Sequence, residues 1–117
     1  MDRWLRATVN TWNGLRAAAR SDAAIREELV ALALAIPLAF LVASDNWKRL
    51  LLILVVLLTL LVELLNTGIE KLADVVSKGP HPAIKDIKDM GSAAVAVSLV
   101  MAGLVWLAAV AERLGFW

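Results

Sequence analysis

The stretch LLLILVVLLTLLVELLNTGI occupies residues 50–69, and Glu63 is its sole charged side chain. An α-helix needs about 20 apolar residues to cross a bilayer, so this segment predicts a transmembrane helix. Residues 29–44 and 90–111 form two further runs that are free of charged side chains. Three such runs in 117 residues leave too little polar chain to cover them in water. We therefore expect an all-α integral membrane protein with three transmembrane helices.

The composition agrees with a membrane protein and excludes several other classes. The chain is 61% hydrophobic with a mean hydropathy of +0.75, which excludes a disordered protein. It has no cysteine and one histidine, so disulfide scaffolds, thiolate metal sites and histidine-cluster zinc sites are excluded. The net charge of +1 gives no indication of nucleic-acid binding, and we expect no nucleic-acid partner.

The charged residues lie mainly outside the three runs and divide the chain into segments. Residues 1–20 predict an amphipathic surface helix, because Leu5, Val9 and Trp12 share one face. The predicted membrane helices span residues 22–44, 49–77 and 84–112. We expect a single membrane domain that covers residues 1–117.

The distribution of Lys and Arg predicts the orientation of the helices. Residues 1–28 and 70–89 carry nine of them, against three in the turn at 45–49 and the tail at 112–117. With three membrane helices the first two regions share a side, which the positive-inside rule places in the cytoplasm. We therefore expect a cytoplasmic N-terminus and a C-terminus across the membrane. Residues 1–28 also carry nine charges in total, so we expect no cleavable signal peptide.

A stripe of polar residues interrupts the second predicted membrane helix. Glu63, Asn66, Glu70 and Asp74 are spaced by three, four and four residues, which places them on one helix face. Glu63 lies inside the apolar run, where a charge costs about 2.5–3.5 kcal/mol and indicates a functional site. It could carry protons or substrate in a transporter, act as a general base, or pair with a lysine across helices. The candidate partners are Lys85 and Lys88.

Carboxylates also gather at the predicted cytoplasmic boundary. They are Asp22, Glu28, Glu70, Asp74, Asp86 and Asp89. Carboxylates without His or Cys suit a hard cation such as Mg²⁺, which proteins often hold together with substrate phosphates. Basic residues that could hold phosphate charge are Arg3, Arg6, Arg16 and Lys88. The alternative for each single charge is plain solvation at the boundary, and no glycine-rich nucleotide motif is present.

Three stretches of the sequence resemble the prokaryotic membrane-integral diacylglycerol kinase family. They are residues 12–18 (WNGLRAA), residues 63–70 (ELLNTGIE) with Asp74, and residues 88–95 (KDMGSAAV). The second and third patterns together, at this separation, are highly specific. The resemblance implies an N-terminal surface helix followed by three membrane helices. It also implies a homotrimeric helical bundle with active sites between subunits. It also implies a bacterial inner-membrane protein with a cytoplasmic active site and a periplasmic C-terminus.

The resemblance implies transfer of the ATP γ-phosphoryl group to diacylglycerol, giving phosphatidate and ADP, with Mg²⁺ as cofactor. Glu63 matches the family's catalytic base, Asn66 supports that carboxylate, and Asp74 is a further supporting residue. The metal-binding positions match Asp22 and Glu70. The ATP-binding positions match Arg3, Asn10, Asp22, Glu70, Gly79, Pro80, His81, Lys88 and Asp89. The lipid-binding positions match Arg3, Arg26, Glu28, Arg49, Glu63 and Ser92.

Three positions depart from the usual pattern of that family. Asp22 stands where the better-known members have Glu, and one methylene less moves the carboxylate by about 1.5 Å. Asn10 stands where an aromatic residue is common. Gly68 replaces a small Ala or Ser, and the smaller residue is compatible with a crowded helix interface.

Other functions compete with a diacylglycerol kinase. An undecaprenol kinase of the same superfamily shares the E-x-x-N-T-x-I-E core, but residues 90–94 favour the diacylglycerol branch. A small proton-coupled exporter could use Glu63 as its one buried carboxylate. Such exporters usually have four membrane helices and lack a dense cluster of acidic and basic residues at one surface. In a non-catalytic assembly subunit the buried polar stripe would have no purpose.

Overall fold

Four α-helices make up most of the protein in the computed structural model, which describes residues 2–117. They are α1 (Arg3–Ser21), α2 (Ala23–Val42), α3 (Asn46–Val76) and α4 (Pro82–Leu114). No strand occurs between residues 2 and 117, so the predicted all-α class is confirmed for this part of the chain. The predicted helix limits differ from the observed ones by up to three residues, most at α3, which begins at Asn46 rather than at 49.

Residues next to the helices explain where they begin and end. The Oδ1 of Asp2 accepts a hydrogen bond from the backbone N–H of Trp4 at 2.8 Å, which caps the start of α1. The Nδ1 of His81 accepts from the backbone N–H of Ala83 at 3.1 Å and caps α4 in the same way. At the other end of α4, Gly115 has φ 86°, in the left-handed region that favours glycine.

Two of the four helices are long and apolar enough to cross a membrane, α3 and α4. Their 31 and 33 residues correspond to about 46 and 50 Å, more than the ~30 Å hydrocarbon core of a bilayer. α2 is also apolar, and it continues through Pro37. However, Arg26, Glu27 and Glu28 lie near its beginning, which leaves 14 uncharged residues, 29–42, within the helix. Length and composition therefore identify two of the three predicted membrane helices.

α3 is the central helix, because it packs against both α2 and α4 while these two hardly contact each other. The result is a flat layer with overall dimensions of 53 × 42 × 20 Å. One cluster of buried apolar side chains surrounds Ile25 and Leu60, and a second surrounds Ala39 and Leu52. The indole N–H of Trp106 on α4 donates to the carbonyl of Leu52 at 3.1 Å. α4 is thereby held to α3 at the end of the layer remote from α1.

The flat layer leaves a large apolar surface uncovered, above all on α4. Only 6% of the apolar window of α4 is buried, compared with 44% for α3. Leu104 and Leu107, for example, are 64% and 70% exposed. The core helix of a soluble protein would be covered by its own fold, and soluble monomers rarely expose contiguous apolar surface of this extent. The exposure of α4 therefore fits contact with lipid or with further subunits.

Candidate active site

Glu63 lies on the buried side of α3, with 8% of its surface exposed. None of the three ion pairs recorded in residues 2–117 includes it. Lys88 pairs with Asp74 and Lys85 pairs with Asp89, each at 2.6 Å. The predicted alternative in which Glu63 pairs with one of these lysines is therefore wrong for this structure, because both lysines are engaged elsewhere.

The surroundings of Glu63 are acidic. Four carboxylates lie close enough to repel its negative charge, namely Asp22, Glu27, Glu28 and Glu70. Three of them come from α2 and the residue that caps it, and Glu70 comes from α3 itself. Negative charges taken out of water are costly unless a counter-charge balances them. This side of the layer is therefore suited to receive a cation.

Asn66 links the buried part of the polar stripe to its more exposed part, at Glu70 and Asp74. Its Nδ2 donates a hydrogen bond to the Oε1 of Glu70 at 3.1 Å, one helical turn further along α3. Asn66 is 9% exposed, and its Oδ1 has no hydrogen-bond partner within the described residues. Such an orphaned buried acceptor is rare in proteins, because it has lost the water that would otherwise satisfy it. The buried Oδ1 faces Gly91 of α4 instead.

Asp22 is held between α2 and α3 by both of its carboxylate oxygens. Oδ1 accepts the backbone N–H of Ala24 at 2.9 Å and caps α2. Oδ2 accepts the hydroxyl of Thr67 at 2.6 Å. Thr67 is 5% exposed and follows Asn66 directly on α3. The two hydrogen bonds place the Asp22 carboxylate against the same turns of α3 that carry Glu63 and Glu70.

The oxygen atoms on this side of α3 fit a hard divalent cation. Asp22 and Glu70 supply carboxylates, the oxygen ligands that such a cation prefers. Residues 2–117 contain no group of three or more His, Cys, Asp or Glu side chains arranged to hold a metal ion. A complete protein cage is not needed for Mg²⁺, which proteins often bind through one or two carboxylates plus substrate phosphates and water. The pair predicted from the sequence therefore remains a sound candidate.

A second group of predicted site residues surrounds the loop between α3 and α4. Gly79, Pro80 and His81 line an open cavity of ≈ 600 Å³ together with Lys88 and Asp89. This volume is within the usual range for small-molecule sites. Lys85 also lines the cavity, and its ion pair with Asp89 spans one turn of α4. The pair between Lys88 and Asp74 connects the cavity to α3, one turn beyond Glu70.

The predicted site residues on α1, Arg3 and Asn10, do not belong to the loop cavity. The guanidinium of Arg3 stacks on the ring of Trp4, 5.1 Å from the ring centre, and both residues are exposed. Asn10 is exposed on the same helix. Neither Arg3 nor Asn10 lines the cavity of the α3–α4 loop. Within one chain, the structure does not bring these two residues to the loop cavity.

The predicted lipid-contact residues fall into two locations. Glu28 lies near Glu63, and the Nη1 of Arg26 donates to the carbonyl of Ala19 at 2.6 Å where α1 and α2 meet. Ser92 is exposed on α4, next to the buried Gly91. These residues lie near the end of the layer that carries Glu63.

Arg49 lies at the opposite end of the layer. Its Nε donates to the carbonyl of Ala43 at 2.8 Å, and its guanidinium lies 4.7 Å from the ring centre of Phe40. It precedes Glu63 by fourteen residues on α3, which is about 21 Å along the helix. The structure therefore does not bring Arg49 together with Glu63.

Sequence reasoning missed two residues that shape this site. Thr67 was not singled out from the sequence, although its hydroxyl donates a hydrogen bond to Asp22. The close helix contact expected at Gly68 is absent within the described residues, where an added Cβ would meet no atom within 4 Å. The crowded glycine is Gly91, which packs against Asn66. A pattern of small residues predicts that helices approach each other, but it does not identify which glycine makes the contact.

The sequence is similar to a known protein family. The sequence profile of the family described as prokaryotic diacylglycerol kinase matches residues 9–110. The chain is 43% identical over 106 residues to a diacylglycerol kinase of Pseudomonas aeruginosa, covering 91% of this chain and 86% of the relative. It is 40% identical over 104 residues to the diacylglycerol kinase of Escherichia coli K12, covering 89% and 85%. A diacylglycerol kinase of Helicobacter pylori is 36% identical over 104 residues, covering 89% and 81%.

Proposed function

We propose, since the chain belongs to the prokaryotic diacylglycerol kinase family, that it transfers the γ-phosphoryl group of ATP to the free hydroxyl of a diacylglycerol. The products are phosphatidate and ADP, and the reaction serves the recycling of membrane phospholipid. The observation that carries this proposal is the position of Glu63. It is a buried carboxylate on an apolar helix, near four other carboxylates, and it has no basic partner within residues 2–117.

Glu63 is the general base of the proposed reaction. The lipid hydroxyl oxygen forms a bond to the γ-phosphorus, while the bond from that phosphorus to the β–γ bridging oxygen breaks and its electron pair leaves with ADP. Glu63 accepts the proton that the hydroxyl loses in this step. A diacylglycerol carries its hydroxyl at the border between acyl chains and headgroups. A base within an apolar helix, close to its charged end, is well placed to reach it.

Asn66, Glu70 and Asp22 prepare the site for the phosphates. Asp22 and Glu70 would hold Mg²⁺, which when bound neutralises negative charge on the phosphate oxygens. Asn66 orients Glu70 through its hydrogen bond, and Thr67 orients Asp22. Water is excluded from this part of α3, because Glu63, Asn66 and Thr67 are all buried.

The nucleotide is proposed to bind at the loop between α3 and α4. Lys88 supplies a positive charge for the phosphates, and Asp74 holds its ammonium group before the nucleotide arrives. Gly79, Pro80, His81 and Asp89 surround the nucleoside. Arg3 and Asn10 on α1 contribute to the same nucleotide, Arg3 also to the lipid. Because these two lie apart from the loop within one chain, they reach it from a neighbouring subunit or after α1 moves.

The membrane arrangement is part of the proposal. α2 is the third membrane helix, with Arg26, Glu27 and Glu28 at the headgroup level and its uncharged residues, 29–42, in the hydrocarbon. Arg26 and Glu28 then contact the lipid substrate together with Ser92, whereas Arg49 contacts lipid at the far surface. The N-terminus and the site face the cytoplasm of a bacterium, across its inner membrane, and the C-terminus faces the periplasm.

A homotrimer with active sites between subunits completes the proposed assembly. The flat, largely uncovered layer supports it, because a single chain leaves the apolar side of α4 without a protein partner among its own residues 2–117. α1 lies over the junction of α2 and α3 and serves as the surface helix, with Trp4 and Trp12 exposed.

The proposal is tested with labelled ATP and two lipid alcohols side by side. The purified protein in mixed micelles receives γ-labelled ATP and either a short-chain diacylglycerol or undecaprenol, with and without EDTA. We expect Mg²⁺-dependent label in the diacylglycerol sample. Label in undecaprenol alone would reassign the protein to the other branch of the superfamily. Label in neither lipid would contradict the kinase function.

A further inference from the structure

Gly91 of α4 approaches Asn66 of α3 so closely that no side chain fits between them. A Cβ added to Gly91 would lie 2.0 Å from the Oδ1 of Asn66 and 3.1 Å from its Cγ. Real Cβ atoms essentially never come within 3.0 Å of another heavy atom in this way. A Cβ on Gly14, Gly68 or Gly103, in contrast, would meet no atom of residues 2–117 within 4 Å. The missing side chain therefore matters at Gly91 and not at these three helical glycines.

The orientation of the Asn66 amide follows from its other partner. The Glu70 carboxylate accepts hydrogen bonds, so the amide must present its donor, Nδ2, to Glu70. The acceptor, Oδ1, then points towards Gly91. Asn66 is 9% exposed, so little space is left for another position of the amide. Gly91 and Glu70 therefore fix the amide from its two sides.

We propose that Gly91 is a positioning residue for phosphoryl transfer. Its bare Cα admits the Asn66 amide against α4, and so keeps Nδ2 aimed at Glu70. This inference rests on the proposed function, in which Asn66 and Glu70 serve the phosphates. A methyl group at position 91 would displace the amide, which is the flexible end of a side chain, more readily than the backbone of either helix. The effect would therefore fall on the site rather than on the fold.

The first experiment compares Gly91→Ala with Gly103→Ala on the same helix. Both changes add one methyl group, and both replace glycine by a better helix former. We expect Gly91→Ala to lower kcat about 100-fold, the loss typical of misplacing a catalytic constellation by about 1 Å. Gly103→Ala should keep wild-type kcat, because its added methyl group meets no atom within 4 Å. KM for ATP in Gly91→Ala should change much less than kcat, since the loop cavity is not lined by Asn66.

The second experiment observes the amide directly, without enzyme activity. The chain has four asparagines, at positions 10, 13, 46 and 66, so ¹⁵N-asparagine labelling in micelles yields few side-chain amide signals. The Asn66 signal is assigned by its loss in Asn66→Ala. We expect Gly91→Ala to shift the Asn66 signal and leave the other three in place, and Gly103→Ala to shift none of them.

A double variant separates positioning from folding. If Gly91→Ala folds poorly, Gly91→Ala combined with Asn66→Ala should fold as well as Asn66→Ala alone, because the obstructing amide is gone. Poor folding of the double variant would overturn the proposal, as would equal kcat in Gly91→Ala and Gly103→Ala or an unshifted Asn66 signal. Each of these outcomes concerns the variants, while the wild type remains an active kinase. Failure of the proposed function would instead appear as an inactive wild type.

Discussion

Thr67 provides a direct test of how the site is held together. Its hydroxyl donates to the Oδ2 of Asp22 at 2.6 Å, and this hydrogen bond joins the start of α2 to the centre of α3. Thr67→Val removes the hydroxyl and keeps the shape and the branching of the side chain. Thr67→Ser is the matched control, because it keeps the hydroxyl and removes the methyl group. The two variants therefore separate the hydrogen bond from the packing.

The expected size of the effect follows from the partners. A hydrogen bond to a charged group contributes about 1.5–3 kcal/mol net to stability. Asp22 is half-buried, so water can reach part of its carboxylate in Thr67→Val and offset some of the loss. We therefore expect the lower end, about 1.5 kcal/mol or roughly tenfold in the unfolding equilibrium. Thr67→Ser should lose less, since the donor remains.

The assay is reversible unfolding in mixed micelles of a mild nonionic detergent and SDS, followed by tryptophan fluorescence at constant protein concentration. If Asp22 binds Mg²⁺, Thr67→Val should also raise the Mg²⁺ concentration needed for half-maximal activity, whereas Thr67→Ser should not. Equal stability and equal Mg²⁺ dependence of the two variants would refute the role assigned to this hydrogen bond.

Two further predictions concern the metal pair and the far end of the layer. Glu70→Gln should weaken Mn²⁺ binding measured by electron paramagnetic resonance, because one anionic ligand is lost; unchanged binding would exclude Glu70 as a ligand. Trp106→Phe should lower the free energy of unfolding by about 1 kcal/mol, since the carbonyl of Leu52 loses its indole donor. Wild-type stability of Trp106→Phe in the same mixed micelles would show that this hydrogen bond does not hold α4.

The periodicity and hydropathy of the sequence were sufficient to predict where the helices lie. The runs around residues 50–69 and 90–111 lie within α3 and α4, and the amphipathic pattern of residues 1–20 became α1. α2 is harder to assign as a membrane helix, because three charged residues follow its capping Asp22 within a few positions. Counting these charges against the helix shortens its apolar stretch. Long charged side chains at a helix end can nevertheless extend towards the headgroups.

Spacing places Glu63, Asn66, Glu70 and Asp74 on one face of α3, because one helix fixes the relative directions of its own side chains. Contacts between helices could not be read from spacing. The hydrogen bond from Thr67 to Asp22 joins residues 45 positions apart, and the Gly91 contact depends on how α4 packs against α3. Likewise, charge alone made a lysine partner for Glu63 a reasonable hypothesis. The structure instead pairs Lys88 with Asp74, which is on the next turns of α3.

The central hypothesis is that Glu63 takes the proton from a lipid hydroxyl during phosphoryl transfer from ATP. Its most direct test measures label transfer from γ-labelled ATP to diacylglycerol in Glu63→Gln and in the wild type, with MgATP binding measured on the same preparations. Glutamine keeps the size of the side chain and cannot accept the proton. We predict that Glu63→Gln loses turnover and keeps MgATP binding. Near-normal turnover in Glu63→Gln would contradict the assignment of the base.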